Sequence, residues 1–502
     1  MRMILNADQA KSADVQASER GIPSIVLMEK AASAFVDEFL AAGVDPDRTI
    51  IVCGTGNNAG DGVAAARILS EKGYRPKVFY AGDPEKYSAQ MKQQIQMLEI
   101  YDPDVTTQLS EFHPEEAEGI IDAIFGIGMK RDITGSYREI IERINEAHDA
   151  GVFVASVDMP SGIHTDTGAV CGCAVKADLT VTFTAMKTGL CLYPGAAYAG
   201  KTVVREIGIP ILEPVLSGIK VFAIDEEDVR KIPKRDETGN KGTFGKVLVA
   251  AGSREIFGAA YLAARAALMT GIGMVRVYTH EKNRTALSAL LPEALITTYE
   301  DGHAADQSLD EAIAWSDGIL IGPGLGTGED AKKILQRVMR EEKRPIIYDA
   351  DAINLLSKDR TAYPRFGQHS VMTPHIGEMA RFTGISVSDI KADPIGIARD
   401  AAEQTGAVIV LKDARSVICE PTGKTFINLS GCSALATAGS GDVLAGITAG
   451  LVTQYKEVQE LHTEALAAFI HGRAGERAGE ELTEDCVTAG SLFGYFPDVL
   501  RP

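Results

Sequence analysis

Short runs of aliphatic and β-branched residues, each of strand length and most followed by a helix-period segment, recur along the whole chain. No other feature constrains the fold as much. The first series is T-I-I-V-C at 49–53, P-K-V-F-Y-A at 76–81, I-I-D-A-I-F at 120–125, V-F-V-A-S-V-D at 152–158 and L-T-V-T-F at 179–183. Most do not alternate apolar with polar, so they must be covered on both faces, the signature of a buried parallel sheet. A second series runs through K-V-L-V-A-A-G at 246–252, M-V-R-V-Y at 274–278, I-L-I-G at 319–322, I-I-Y-D-A at 346–350, V-M-T-P at 371–374 and V-I-V-L-K at 408–412. Between them the pattern loosens at 207–220, and a polar loop, K-I-P-K-R-D-E-T-G-N-K-G-T, follows. At 502 residues the chain is too long for one ordinary core. The expected architecture is therefore α/β, two doubly wound domains in tandem, at 1–215 and 222–502. A helix is expected from Ser24, with Ile25, Met28, Ala32, Phe35 and Phe39 on one face.

Charge narrows the partners. The formal net charge is −19, with no basic run, which repels nucleic acid and anionic membrane alike. A phosphate ligand must then be held by local geometry. The seven cysteines are odd in number and irregularly placed, which is not a disulfide framework, and Cys171-x-Cys173 lacks the spacing of a zinc knuckle. No apolar run of about 18 residues is free of charge, and the N-terminus lacks the apolar core of a signal peptide. A cytoplasmic homo-oligomer acting on small molecules is the expectation.

Chemistry collects at the ends of the runs, where parallel sheets bind their ligands. Ala438-Gly439-Ser440-Gly441-Asp442 opens the apolar helix V-L-A-G-I-T-A-G-L-V. Glycines let backbone N–H groups turn inward, and the helix N-terminus adds a positive dipole end, so the turn can hold a phosphoryl group. Asp442 in the first turn is expected to be kept ionised by that dipole and to accept the proton of an attacking hydroxyl. A plain glycine turn with an aspartate cap reads almost as well from this motif alone. Other run ends carry Lys241-Gly242-Thr243-Phe244-Gly245-Lys246, Gly322-Pro323-Gly324-Leu325-Gly326, Asp349-Ala350-Asp351-Ala352-Ile353-Asn354, Thr373-Pro374-His375-Ile376-Gly377-Glu378-Met379-Ala380-Arg381 and Lys412-Asp413-Ala414-Arg415-Ser416.

This set resembles the ADP- or ATP-dependent NAD(P)H-hydrate dehydratases, a ribokinase-like family, over about 225–502. The resemblance implies that the C6 hydroxyl of hydrated NADH or NADPH is phosphorylated, with ADP and magnesium, and that loss of phosphate restores the dihydronicotinamide. It implies that Gly324, the residues from His375 through Ile376, Gly377, Glu378, Met379 and Ala380 to Arg381, and Asp442 meet the hydrate. Lys412, Asp413, Ala414, Arg415 and Ser416 would hold ADP with Cys432, Ser433, Ala434, Leu435, Ala436, Thr437, Ala438, Gly439, Ser440 and Gly441, and Asp442 would be the catalytic carboxylate. Cys432, Ala434 and Ile376 stand where that family usually has asparagine, glycine and proline.

In the N-terminal half, Cys53-Gly54-Thr55-Gly56-Asn57-Asn58-Ala59-Gly60-Asp61-Gly62 follows the first run, Asp122-Ala123-Ile124-Phe125-Gly126-Ile127-Gly128 the third and Val157-Asp158-Met159-Pro160-Ser161-Gly162-Ile163 the fourth. Asp122 and Asp158 are expected where substrate lies, although either alone could simply cap a helix. These motifs resemble the NAD(P)H-hydrate epimerases, Rossmann-like domains, over about 1–212, with Ala59 where glycine is usual. The resemblance implies hydrate-binding by Asn57, Asn58, Ala59, Gly60, Asp61, by Gly126, Ile127, Gly128, Met129, Lys130, Arg131, Asp132, and by Asp158. It implies a potassium ion on Asn58, Asp122 and Ser161, hard oxygen donors that suit such a cation. Asp158 or Asp122 is the candidate proton shuttle. Two other readings remain open: a small-molecule kinase with a regulatory N-terminal module, and a non-enzymatic scaffold.

Overall fold

The computed structural model describes residues 1–341, 343–358, 366–367 and 369–500. The chain divides into two compact units, Met3–Val221 and Phe222–Pro502, the latter including Met1–Arg2.

The first unit is built on a seven-stranded sheet, wholly parallel. Its strands are β1 (Thr49–Cys53), β2 (Lys77–Tyr80), β3 (Asp104–Thr106), β4 (Gly119–Ala123), β5 (Phe153–Val157), β6 (Leu179–Phe183) and β7 (Lys201–Arg205), in the order β3-β2-β1-β4-β5-β6-β7. β1, β4 and β6 are buried at every residue; β6 alternates in sequence, L-T-V-T-F, yet buries both of its threonines. The two edge strands are absent from the expected set. β3 has three residues and two of them are exposed, and β7 is only half-buried, so neither carries an apolar run. The order reverses between β1 and β4, and a doubly wound sheet opens its ligand crevice there. Helix α1 (Ala7–Glu19) presents Ala7, Ala10, Ala13 and Ala17 inward. Helix α2 (Ser24–Ala41) buries Met28, Ala32, Phe35 and Phe39 as its periodicity predicts. Phe35 and Phe39 are 0% exposed, each stabilising the unit by roughly 1.5–3 kcal/mol. Helix α3 (Asn57–Glu71) starts at the first asparagine of the glycine loop, so both asparagines stand in its first turn.

The second unit carries β8 (Lys246–Ala250), β9 (Met274–His280), β10 (Leu295–Tyr299), β11 (Gly318–Ile321), β12 (Ile346–Tyr348), β13 (Ser370–Met372), β14 (Val408–Leu411), β15 (Val417–Cys419) and β16 (Thr425–Ile427), side by side as β10-β9-β8-β11-β12-β13-β14-β15-β16. From β10 to β14 every pairing is parallel; β14-β15-β16 is an antiparallel meander. The two three-residue strands of that meander were not legible as runs. Helix α4 (Gly258–Met269) packs on α6 (Ser440–Tyr455), which is buried on nearly every side and so reads as an unbroken apolar stretch. Helices α5 (Ile376–Thr383) and α7 (Thr463–Leu482) flank the ends of β13 and α6. Among the described residues no helix is long and apolar enough to cross a membrane.

One backbone position governs the sheet ends of this unit. Gly322 follows β11 with φ +124°, and a Cβ there would sit 1.8 Å from the carbonyl oxygen of Asp349. Neither the dihedral nor the space admits a side chain. Gly322→Ala is expected to lower the stability of this unit by about 3 kcal/mol or more, read as a lower unfolding midpoint in urea with the first unit's transition unmoved.

Candidate active sites

In the second unit, three parallel strands deliver their ends to one place. Asp349 follows β12, Thr373 follows β13 and Lys412 follows β14; the Lys412 N–H donates to the Pro374 carbonyl at 2.8 Å, which locks the last two ends together. The buried Asp349 Oδ1 accepts from Lys412 Nζ at 2.7 Å and from Thr373 Oγ1 at 2.6 Å. Asp351 accepts from the Gly326 N–H at 2.8 Å and from Asn354, and Asn354 in turn accepts from Arg381 Nε at 3.0 Å. These contacts bring the Gly322-to-Gly326 turn, the D-A-D-A-I-N segment and α5 into one constellation. His375 is the N-cap of α5: its Nδ1 accepts from the Gly377 and Glu378 N–H groups, while Glu378 Oε2 accepts from the His375 N–H at 2.8 Å. The imidazole itself stays half exposed. Ile376 is buried in the first turn, where proline is also tolerated, so that departure leaves the cap intact.

Asp442 enters from α6. Gly439 before it is left-handed at φ +89° and caps the helix without a side-chain bond; the Ser440 N–H turns back to the Thr437 carbonyl at 3.3 Å, and among the described residues no side chain caps the Gly441 and Asp442 N–H groups. The expectation that the dipole keeps Asp442 ionised does not hold. Burial, then the charge of Asp349, pushes its carboxyl up to about 7; Lys412 opposes this, and Asp351 and Glu378 add to it. The dipole is outweighed because the residue lies among other carboxylates in a dehydrated site. Burial works against the Lys412 ammonium, but Asp349, Glu378 and Asp442 overcome it and raise its pKa. Among the described residues no donor binds the Asp442 carboxylate, which leaves it open to a ligand.

The segment implied for the nucleotide is more structural than expected. Ser433, Ala434 and Leu435 form a single 3-10 turn, with Ala434 buried. Cys432 Sγ lies 3.4 Å from the Gly475 carbonyl, so this departure packs against α7. Arg415 Nη1 donates to the Leu429 carbonyl at 2.5 Å. Lys412 lies beside the glycine turn, where a Cβ on Gly441 would sit 3.5 Å from its Nζ, and its charge acts on Asp442. Ser440 Oγ bonds His471 Nε2 at 3.0 Å, a buried partner that no motif indicated.

Burial holds the His471 imidazole down at about 4, against a helping bond from Ser440. The unfolded imidazole protonates near 6.5, so stability is complete above that value and drains as pH falls toward 4. Up to about 3 kcal/mol is at stake. Urea midpoints of the wild type are expected to fall across this window, and His471→Gln to flatten the dependence.

The first unit holds an open cavity of about 770 Å³, counting its mouth. Asp14, Asn57, Asp61, Asp158, Thr184 and Lys187 supply its polar lining, with Ile127 the one member of the 126–132 segment beside them. Asp158 follows β5 with φ +64°, an unusual conformation for a side-chain-bearing residue and one that Asp and Asn tolerate best. Its Oδ1 accepts from Lys187 Nζ at 2.6 Å, from Thr182 Oγ1 at 2.9 Å and from the Phe183 N–H at 3.3 Å. Lys187 is 3% exposed, a buried ammonium stabilised by this pair and by the Phe183 carbonyl at 2.8 Å. Thr184 is also left-handed at φ +68°, and among the described residues its buried hydroxyl has no partner. Two strained residues and an unmatched hydroxyl on one cavity wall mark a ligand site.

Asp122 is not on that cavity. It is 0% exposed, and accepts from Ser161 Oγ at 2.5 Å, the Ser161 N–H and Ser156 Oγ at 2.8 Å, and the Ile124 N–H at 3.2 Å. Burial still raises its carboxyl above the usual range. The strand end turns this side chain underneath the loops, where it accepts from both of them. Ser161 Oγ accepts from the Phe125 N–H at 2.8 Å, tying the two loops at the crevice. Asn58 packs over Gly126 and keeps a buried amide nitrogen without a partner. Ala59 is fully buried in α3, and the helix accommodates its methyl group. Asp14 and Lys187 were not among the expected residues. The only signals were an acid beside an alanine face and one lysine inside an apolar stretch.

The model of the NAD(P)H-hydrate dehydratase family matches residues 247–497, and that of the YjeF-related protein N-terminus matches residues 24–189. A bifunctional NAD(P)H-hydrate repair enzyme from Thermofilum pendens is 35% identical over 99% of this chain and 96% of its own length. One from Moorella thermoacetica is 35% identical over 100% of this chain and 97% of its own. Among solved structures, a hypothetical protein from Streptococcus mutans is 30% identical with a TM-score of 0.51, over 56% of this chain and 99% of its own. Matched nearly end to end by relatives of this kind, the chain belongs to the family of bifunctional NAD(P)H-hydrate repair enzymes.

Proposed function

We propose that the two units divide the repair between a C6 epimerisation in the first and a nucleotide-driven dehydration in the second. The observation that carries the dehydration is Asp442: a donor-free carboxylate, poised near neutrality, in the first turn of a helix and beside Lys412. Asp442 takes the proton of the substrate C6 hydroxyl as its oxygen attacks the terminal phosphorus of the nucleotide. The Gly441 and Asp442 backbone N–H groups and Lys412 hold the transferring oxygens. The ring nitrogen then expels phosphate from C6, a C5 proton is lost, and the dihydronicotinamide is restored. ADP as donor would leave AMP and inorganic phosphate. Magnesium suits this site as a companion of the nucleotide. Asp349, Asp351 and Glu378 are all engaged by protein donors, and among the described residues no three His, Cys, Asp or Glu side chains form a metal cluster. Phosphate oxygens and water would hold the ion, and it would supply charge neutralisation.

In the first unit, Asp158 with a free Oδ2, Asp61 and Lys187 face the hydrated ring. Loss of the C6 hydroxyl as water leaves a cationic iminium, which a carboxylate-lined cavity stabilises. Addition of water to the other face completes the inversion. A potassium ion fits beneath this cavity. Asn58 carries an orphaned amide, which satisfies itself once the group is turned oxygen-first, and Asp122, Ser161 and the Phe125 carbonyl supply hard oxygens. Those residues would hold it, and it would fix the two crevice loops.

The decisive assay supplies purified hydrates with ADP or ATP and follows dihydronicotinamide absorbance. Return of absorbance from the S hydrate alone with one nucleotide, and from the R hydrate with the same nucleotide, supports both activities. No return with either nucleotide overturns the dehydratase reading and revives the kinase one.

A further inference from the structure

We propose that Asp14, on α1, is a further catalytic residue of the first unit, the acid that protonates the departing C6 hydroxyl. This rests on the epimerase reading of the cavity. Asp14 and Asp158 approach that cavity from separate elements, a helix and a strand end, and both line it. The four inward alanines of α1 bring the helix close while leaving room for a ring. Asp158 has one oxygen tied to Lys187, whereas Asp14 and Asp61 have no side-chain partner among the described residues. Asp158 balances the Lys187 ammonium and two further acids line the cavity, so it holds no surplus positive charge to attract a pyrophosphate.

The three acids are not equivalent. Asp61 is held well above the usual carboxylate range, first by burial and then by the charges of Asp158 and Asp14, so it serves as a standing hydrogen-bond donor. Burial, then Asp158, pushes Asp14 up to about 6, with Lys187 opposing. Asp14 lines the cavity wall, so it can exchange its proton with cavity water within a turnover. The step balances without any co-reactant. The Asp14 carboxylic acid gives its proton to the C6 oxygen, the C–O bond breaks, water leaves, and the nitrogen lone pair forms the iminium. Water then adds to the opposite face, its proton passes to Asp158, and exchange through the cavity water returns that proton to Asp14. In the reverse direction the two carboxylates trade roles.

The test uses the full-length chain with pure R hydrate, following the approach to the R/S mixture by chiral chromatography between about pH 5 and 9. As an acid that must be protonated, Asp14 predicts a wild-type rate that falls as pH rises through about 6. Asp14→Asn is expected to slow epimerisation by about 100-fold and to abolish that limb of the profile, and Asp14→Glu to restore part of the rate together with the limb. Unchanged dehydration of pure S hydrate by the same samples reports an intact chain. Wild-type epimerisation with an unchanged pH profile in Asp14→Asn overturns the role of Asp14. A slowed Asp14→Asn that keeps the limb also overturns it, since the side chain then acts only by shape. A wild type that does not interconvert the hydrates overturns the epimerase reading itself.

Discussion

Asp442→Asn is expected to reduce nucleotide-dependent dehydration by about 1,000-fold or more while epimerisation continues at its normal rate. The magnitude is that of losing a general base, added to loss of the charge that positions it. The substitution preserves shape and the first turn of α6, so folding is not the explanation to expect. It removes one carboxylate from a site where Asp349, Asp351 and Glu378 already repel it, and the variant should be at least as stable as the parent near neutral pH. The pH dependence gives a second reading. The base must be ionised, and its carboxyl is raised to about 7, so kcat/KM for the S hydrate is expected to climb as pH rises through that value. A profile already flat from pH 5 upward would mean that another group takes the proton. The comparison is made by absorbance at saturating nucleotide.

Asp158→Asn should produce the complementary defect. With an equal mixture of R and S hydrates and nucleotide, the wild type is expected to restore all of the dihydronicotinamide, whereas this variant should stop near the half that is already S. Asparagine tolerates the left-handed backbone that Asp158 adopts at φ +64°, so the change removes charge without adding strain. It also strips Lys187 of its counter-ion. That ammonium keeps Thr182 and the Phe183 carbonyl, so a stability loss of about 2–4 kcal/mol is expected for the first unit, short of unfolding it. Asp158→Ala adds the backbone cost and should be worse on the same scale. Full conversion of the mixed epimers by Asp158→Asn would remove Asp158 from the mechanism.

The strand ends were legible because a buried parallel strand is mostly apolar until it leaves the sheet. Asp349, Thr373, Lys412 and Asp158 could therefore be placed from the points where apolar runs stop. What lies one bond further was not legible. Nothing in I-I-D-A-I-F says whether Asp122 turns up to a cavity or down to Ser156 and Ser161. That depends on loops which meet only in the fold. The protonation of Asp442 was misjudged for a similar reason. Its own helix was visible in the sequence, but the carboxylate that opposes it, Asp349, is contributed from far up the chain. Asp14 and Lys187 had no motif at all, since α1 looks like any small-residue helix and Lys187 like a lysine stranded after a strand. The short edge strands escaped because exposure removes the pattern that marks their neighbours.

The left-handed backbone at Asp158 has a consequence for how this position tolerates change. A library at codon 158 sorted only for folded, soluble protein should enrich aspartate, asparagine and glycine, the residues that this dihedral admits. The same library sorted for growth on R hydrate turnover should collapse to aspartate. The gap between the two sorted populations is a direct reading of what the chemistry demands of that residue beyond what the backbone does.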